Sequence, residues 1–335
     1  MRRKLIIYSI LIFLTFSLYA QYVPDVLGDG YLQRTFQMPD DYEGKVVCTL
    51  VKKPQLPEVK QAVLYIHGYN DYFFQKQLGD SVNAHGYNFY AMDLRKYGRS
   101  ILPNQDPFFC KSLTEYFADI DTALTTIRSE GNDKILLMAH STGGVITPLY
   151  LNSKEGNLPV EGLILNSPFL DWNFGWFMEK VAIPAVAFVG KFFPELTVQG
   201  YGLASYAHSL LKQFKGEWVY NTNWKMINGH PKKAGWIKAI QEGQQKVRKG
   251  LKLNCPVLVI SSDKSYPETE EWHNEYLSSD IVLNVDDIQK YAPKLGDRVT
   301  RDTIPNGMHD LILSDDKSRN NAYLTVFDWI NGGNF

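Results

Sequence analysis

Short apolar runs alternate along this chain with segments whose apolar residues return every three or four positions. Residues 62–66, 88–92, 135–138, 162–166 and 257–260 are runs of strand length, bounded by turn residues and apolar on both faces. Between them, residues 72–84, 113–128 and 145–151 read as helices. In the second of these Tyr116, Ile120, Ala123, Leu124 and Ile127 share one face. Residues 35–38 and 45–51, joined by the turn 39–44, read as a hairpin at the sheet edge, and a helix at 286–291, a strand at 299–304 and a helix at 319–330 close the chain. The alternation predicts an α/β fold, a mostly parallel central sheet covered by helices on both faces.

The rhythm breaks at Ser167-Pro168 and resumes at Cys255-Pro256. The residues between are dense in aromatic side chains, among them Trp172, Trp176, Phe188, Phe192, Trp218 and Trp236, and are interrupted by Pro184, Pro194 and Pro231. They predict a helical cap, about residues 171–250, laid over the carboxyl edge of the sheet, where open α/β sheets bind ligands. Most of its aromatic residues are read as packing, a minority as the lining of an apolar pocket, and the cap is the face expected to make any peripheral contact with a membrane.

A length of 335 residues with 44% hydrophobic residues suits one enlarged α/β domain, residues 21–335, carrying that insertion. A formal net charge of −1, with both signs mixed along the chain, gives no footprint for nucleic acid and excludes that partner class. Residues 1–20 change the expected location. Met1-Arg-Arg-Lys4, an apolar run over 5–18 and Ala20 form the pattern of a signal peptide, cut near Ala20, which predicts export to a periplasm or beyond. The run is short for a membrane span, so an uncleaved anchor is the alternative. Cys48, Cys110 and Cys255 make neither a disulfide framework nor a metal-ligand spacing and are read as buried thiols. Neither a metal nor a cofactor is expected.

The candidate chemistry centres on Ala139-His-Ser-Thr-Gly-Gly144, which joins a short buried strand directly to a helix. Small residues at 139 and 143 allow a turn sharp enough to lift the Ser141 hydroxyl clear of the backbone, with the Thr142 N–H at the helix start aimed at a developing oxyanion. A serine hydroxyl needs a base. His309 lies in the loop after the last strand, which opens at the same edge of the sheet. His140 sits inside the turn and points away from it; His85, His208, His230 and His273 are expected to face solvent. Three aspartates compete to orient the imidazole. Asp263 directly follows the strand at 257–260. Asp280 follows a polar insertion, and its interval to His309 fits one further strand and helix, so Asp280 is preferred with Asp263 as the alternative; Asp171 is the remaining candidate. The loop Ile66-His-Gly-Tyr-Asn70 follows the first parallel strand, and its Tyr69 N–H is the expected second oxyanion donor.

Together, His67-Gly-Tyr69, Asp93-Leu-Arg-Lys-Tyr-Gly-Arg-Ser100, Ala139-His-Ser-Thr-Gly-Gly144, Asn166-Ser-Pro168, Asp280-Ile-Val282 and Gly307-Met-His309 resemble the α/β-hydrolase fold. Within it they resemble the serine-hydrolase family of monoacylglycerol lipases, lysophospholipases and serine aminopeptidases of the S33 type. The resemblance runs from about residue 45 onward and implies an Asp-x-Val motif carrying the acid, a second reason for Asp280. Ala139 for the first glycine and the insertion between Ile260 and Asp280 are its departures, and substrates do not transfer with so variable a cap. The expected function is an exported serine hydrolase that cleaves a carboxylic ester of a small or lipid-like substrate, acylglycerol or lysophospholipid in type, through an acyl-enzyme. The alternatives are an amidase or aminopeptidase of the same fold, or a relative that binds a ligand without catalysis. A dehalogenase would want aspartate at position 141.

Overall fold

A computed structural model describes residues 21–333; the leader expected at 1–20 lies outside the described residues. Strands β1 (Val23–Pro24), β2 (Leu32–Asp41), β3 (Gly44–Lys52), β4 (Gln61–Ile66), β5 (Asn88–Asp93), β6 (Lys134–His140) and β7 (Gly162–Asn166) belong to one sheet. Two short strands, β8 (Thr197–Gln199) and β9 (Lys232–Lys233), pair with each other elsewhere, and β10 (Val257–Ser262) and β11 (Val299–Ile304) complete the main sheet. Its spatial order is β1-β2-β3-β5-β4-β6-β7-β10-β11, antiparallel as far as β3/β5 and parallel from β5 to β11. The helices are α1 (Lys76–Ala84), α2 (Phe117–Ser129), α3 (Gly143–Asn152), α4 (Ile183–Val189), α5 (Ser205–Leu210), α6 (Ala234–Lys249), α7 (Val285–Tyr291) and α8 (Asp316–Asn331).

The parallel strands are apolar on both faces because both faces are covered. Leu64 and Ile66 of β4, Leu137 and Ala139 of β6, and Val257 and Val259 of β10 point into one core with Ile120 and Ile127 of α2. Their neighbours Val63, Tyr65, Leu136, Met138, Leu258 and Ile260 point into another, against Leu78 and Val82 of α1 and Val326 and Ile330 of α8. The three cysteines are buried and unbridged.

Two expected helices begin later than the pattern predicts. The helix read over 72–84 begins at Lys76 instead, because Tyr72, Phe73 and Phe74 are buried and the Phe73 N–H donates to Asp93 Oδ1 at 2.9 Å, which holds 72–75 as a loop. The helix read over 113–128 opens as a 3₁₀ turn, Leu113–Tyr116, whose Ser112 and Glu115 form a capping box, before α2 proper. Asp93 also accepts from Arg99 Nη1 at 2.8 Å, and Arg99 binds both oxygens of Asp25 at 2.6 and 2.8 Å, fastening the N-terminal segment to the end of β5.

Strand order places the site. β5 lies on one side of β4 and β6 on the other, so the chain changes direction across the sheet at β4, and a crevice opens there at the carboxyl ends. The register that pairs Ile66 with Ala139 sets the ends of β4 and β6 side by side. Between the neighbouring strands β7 and β10 the chain leaves the sheet for residues 167–256, adding α4, α5, α6 and the β8/β9 ribbon, and roofs this edge.

Candidate active site

Ser141 and Thr142 are all that separates β6 from α3. So abrupt a reversal puts Ser141 at φ +51°, a conformation that L residues adopt rarely and that is common at functional turns. The turn is paid for by small neighbours. A Cβ on Gly143 would lie 2.6 Å from the His67 carbonyl oxygen, and one on Gly144 2.6 Å from Pro168 Cβ. Ala139, in place of the usual glycine, is accommodated with its methyl in the core. The Ser141 N–H donates to the Asn166 carbonyl at 3.1 Å, and its carbonyl accepts from Gly144 and Phe169.

The structure brings Ser141, His309 and Asp280 together. His309 Nε2 lies 3.0 Å from Ser141 Oγ, and its Nδ1 lies 2.9 Å from Asp280 Oδ2. Asp280 is fully buried, and its other oxygen accepts the Val282 and Leu283 amides, each at 2.8 Å, which fixes the carboxylate's orientation. An imidazole whose Nδ1–H faces a fixed carboxylate presents Nε2 as an acceptor, so this arrangement can take the Ser141 proton. Asp263, the alternative acid, stands elsewhere. It is exposed and accepts the Asn306 N–H at 2.9 Å, closing the turn after β11; the insertion carries the chain past it before the acid is delivered. Asp171 is paired with Arg248.

Tyr69 and Thr142 both line the cavity above Ser141, and among the described residues neither amide N–H donates to a protein acceptor. Amides left open beside a serine at a helix start can receive a developing negative charge. The cavity holds about 720 Å³ and is walled by Phe169, Trp172 and Trp236 with Tyr206, Ile281 and Leu283.

The sequence pattern assigns no role to several supporting residues. Asp310, next to His309, accepts from Asn166 Nδ2 at 2.7 Å and Gln75 Nε2 at 3.2 Å, so the end of β7 holds the imidazole's loop in place. His140 donates from Nδ1 to the Asn166 carbonyl at 3.1 Å and lies 4.8 Å from the His309 ring, and burial lowers its pKa from the ordinary value. His230 is half-buried against Asp106, with Nε2 2.7 Å away, rather than facing solvent as its position suggests. Asp71, His140 and Asp310 present atoms within 4.8 Å of one another, a spacing that could hold a cation. The Lys225 ammonium, 2.9 Å from Asp71, already supplies positive charge there. Burial would raise the Asp71 pKa, but Lys225, His140 and His67 outweigh it and hold the carboxyl below its ordinary range.

A mainly parallel sheet with a strand–serine–helix elbow at its switch point, and with an acid and an imidazole delivered after later strands, is the α/β-hydrolase fold. The chain belongs to the serine aminopeptidase S33 family, whose model matches residues 57–316. Among solved structures it is similar to a soluble variant of monoglyceride lipase from Saccharomyces cerevisiae in complex with a substrate analog, at 17% identity and TM-score 0.65 over 90% of this chain and 95% of that one. It is similar also to a thermostable carboxyl esterase from Bacillus coagulans in complex with glycerol (14%, 0.62, 90% and 98%) and to a monoacylglycerol lipase from Paleococcus ferrophilus (15%, 0.59, 90% and 98%). No curated protein sequence matches the chain significantly.

Proposed function

We propose that this protein is a serine hydrolase that cleaves carboxylic esters of lipid-like or acylglycerol type through an acyl-enzyme. The observation that carries the reading is the continuous Ser141–His309–Asp280 relay at 3.0 and 2.9 Å, opening into a largely aromatic cavity. Ser141 Oγ attacks the ester carbonyl as His309 Nε2 takes its proton, and the Tyr69 and Thr142 amides receive the oxyanion. The imidazolium, steadied by Asp280, returns the proton to the departing alcohol; a water then repeats the sequence on the acyl-serine. Similar structures bound to a substrate analog and to glycerol support a small ester as substrate.

Aminopeptidase action, suggested by the family's description, fits the cavity less well. A substrate ammonium wants a free carboxylate. Of the acids in the wall, Asp71 is paired with Lys225, and burial raises the Glu268 carboxyl from its ordinary value, with Lys232 acting in the opposite direction.

The roof acts as a cap that meets a lipid surface. Trp176, Phe177, Phe192, Phe193 and Tyr201 are 63–71% exposed within one stretch of it, with Lys180 and Lys191 among them, and Phe174 and Tyr201 reach the cavity wall. Such a face suits the headgroup boundary of a membrane. The enzyme is exported and cut near Ala20 in this proposal, which the N-terminal pattern supports and N-terminal sequencing of the mature protein tests. The catalytic reading is tested by fluorophosphonate labelling. Adduct on Ser141, with turnover of p-nitrophenyl esters over amino-acid anilides, supports it; well-folded protein without label would sink it.

A further inference from the structure

The loop that carries Tyr69 is fastened to the roof at four consecutive residues. Tyr69 donates its hydroxyl to the His230 carbonyl at 3.4 Å. Asn70 exchanges two hydrogen bonds with the Met226 backbone, Nδ2 to the carbonyl at 2.8 Å and Met226 N–H to Oδ1 at 2.7 Å. Asp71 takes the Lys225 ammonium at 2.9 Å in a pair that is almost wholly buried. The Tyr72 hydroxyl accepts the Asn221 N–H at 2.8 Å, with the Trp224 ring set edge-on to it at 5.2 Å. Asn70 sits at φ +49°, a left-handed conformation that asparagine adopts more readily than most residues.

An oxyanion donor works through placement. Its contribution depends on the N–H lying where charge develops, and a displacement of about 1 Å forfeits most of it. A buried ion pair adds little net stability over an apolar pair of the same shape, and in some proteins it selects one arrangement. We propose that the roof segment 221–230 is a positioning element for the oxyanion hole, with Asn70 and the Asp71–Lys225 pair aiming the Tyr69 N–H at Ser141 while the roof is seated. This inference rests on the serine-esterase reading and deepens it, because it makes the donor's alignment depend on contacts from the roof.

The test uses the whole chain and a soluble p-nitrophenyl ester. Asn70→Gly keeps the left-handed backbone free of strain and removes both bonds to Met226, and Asp71→Asn combined with Lys225→Met removes the ion pair without stranding a charge. Each is expected to lower kcat about tenfold or more with KM changed less than about twofold, and to weaken a trifluoromethyl ketone, which forms the tetrahedral adduct, by the same factor as kcat. Asn70→Asp, which keeps the acceptor for Met226, should recover part of the loss. A rise in KM at constant kcat, or an unchanged kcat in both variants beside an inactive Ser141→Ala, would overturn this inference alone. Full turnover by Ser141→Ala would overturn it together with the reading beneath it.

Discussion

Gly68 and Ser141 approach so closely that a methyl group on Gly68 would have its carbon 2.9 Å from Ser141 Cβ and 3.5 Å from Ser141 Oγ. The contact follows from the pairing of β4 with β6, which stops both strands at the same height. Gly68→Ala must therefore push the Tyr69 loop away from the elbow. The expected cost is about 1–3 kcal/mol in urea unfolding, with at least a tenfold fall in kcat as the donor retreats. Unchanged stability and turnover would show that the two loops are free to part.

Ser141→Ala should reduce ester turnover by about 10³-fold or more while leaving the melting temperature close to that of the parent protein. Removing the hydroxyl strands no buried partner beyond the imidazole, which the solvated cavity can hydrate.

The two late aspartates separate cleanly. Asp280→Asn should lower kcat by a factor on the order of 10³–10⁴, since the imidazole loses the carboxylate that fixes its tautomer and offsets its charge. Asp263→Asn should leave kcat within about twofold, because that side chain only closes a surface turn. A larger loss in Asp263→Asn than in Asp280→Asn, by steady-state kinetics, would reverse the assignment of the acid.

Acid stability should carry the mark of His140. Burial holds the folded ring's pKa below the ordinary value of 6.5, so between the two values the unfolded chain binds the extra proton. Stability is then complete above about pH 6.5 and declines as the pH falls through that window. Asp71, also depressed, acts the same way but below its ordinary 3.8, outside the range compared. His140→Gln should show a smaller drop in melting temperature from pH 7 to pH 5 than the parent. An equal drop would place the sensitive group elsewhere.

The exposed aromatic face of the roof predicts lipid binding separable from chemistry. Trp176→Ser with Phe192→Ser should weaken association with anionic phospholipid vesicles by at least about tenfold, each ring forgoing burial in the headgroup boundary. Turnover of a soluble short ester should stay the same. Vesicle sedimentation unaffected by the pair would remove the membrane from the proposal.

The strand–helix rhythm is legible in the sequence because each parallel strand between Gln61 and Ser262 is covered on both faces and so reads as an unbroken apolar run. The convergence of Ser141, Asp280 and His309 is legible for a related reason: each follows a strand of the parallel set, and element order alone assigns them to one edge. Asp263 competed with Asp280 because both follow β10; the shorter interval to His309 and the Asp-x-Val motif favoured Asp280, and the course of the inserted loop explains why it is Asp280 that meets His309. The contacts between Asp71 and Lys225 and between Asn166 and Asp310 join residues 154 and 144 positions apart, and no periodicity encodes such pairs. The start of α1 was hidden as well. Residues 72–75 have no helix breaker, and what keeps them out of the helix is a hydrogen bond to Asp93 on the next strand.

The three sulfhydryls have a practical consequence. Sealed from solvent and joined to nothing, Cys48, Cys110 and Cys255 make the protein indifferent to the redox state of its surroundings, since no cross-link has to form or survive for the chain to reach its native state. Their thiols are also held in the unreactive protonated form by burial, so a thiol reagent added to native protein will wait for the interior to open. The rate of alkylation becomes an internal clock for that opening, with one hand in the β-hairpin edge, one ahead of α2 and one at the foot of β10.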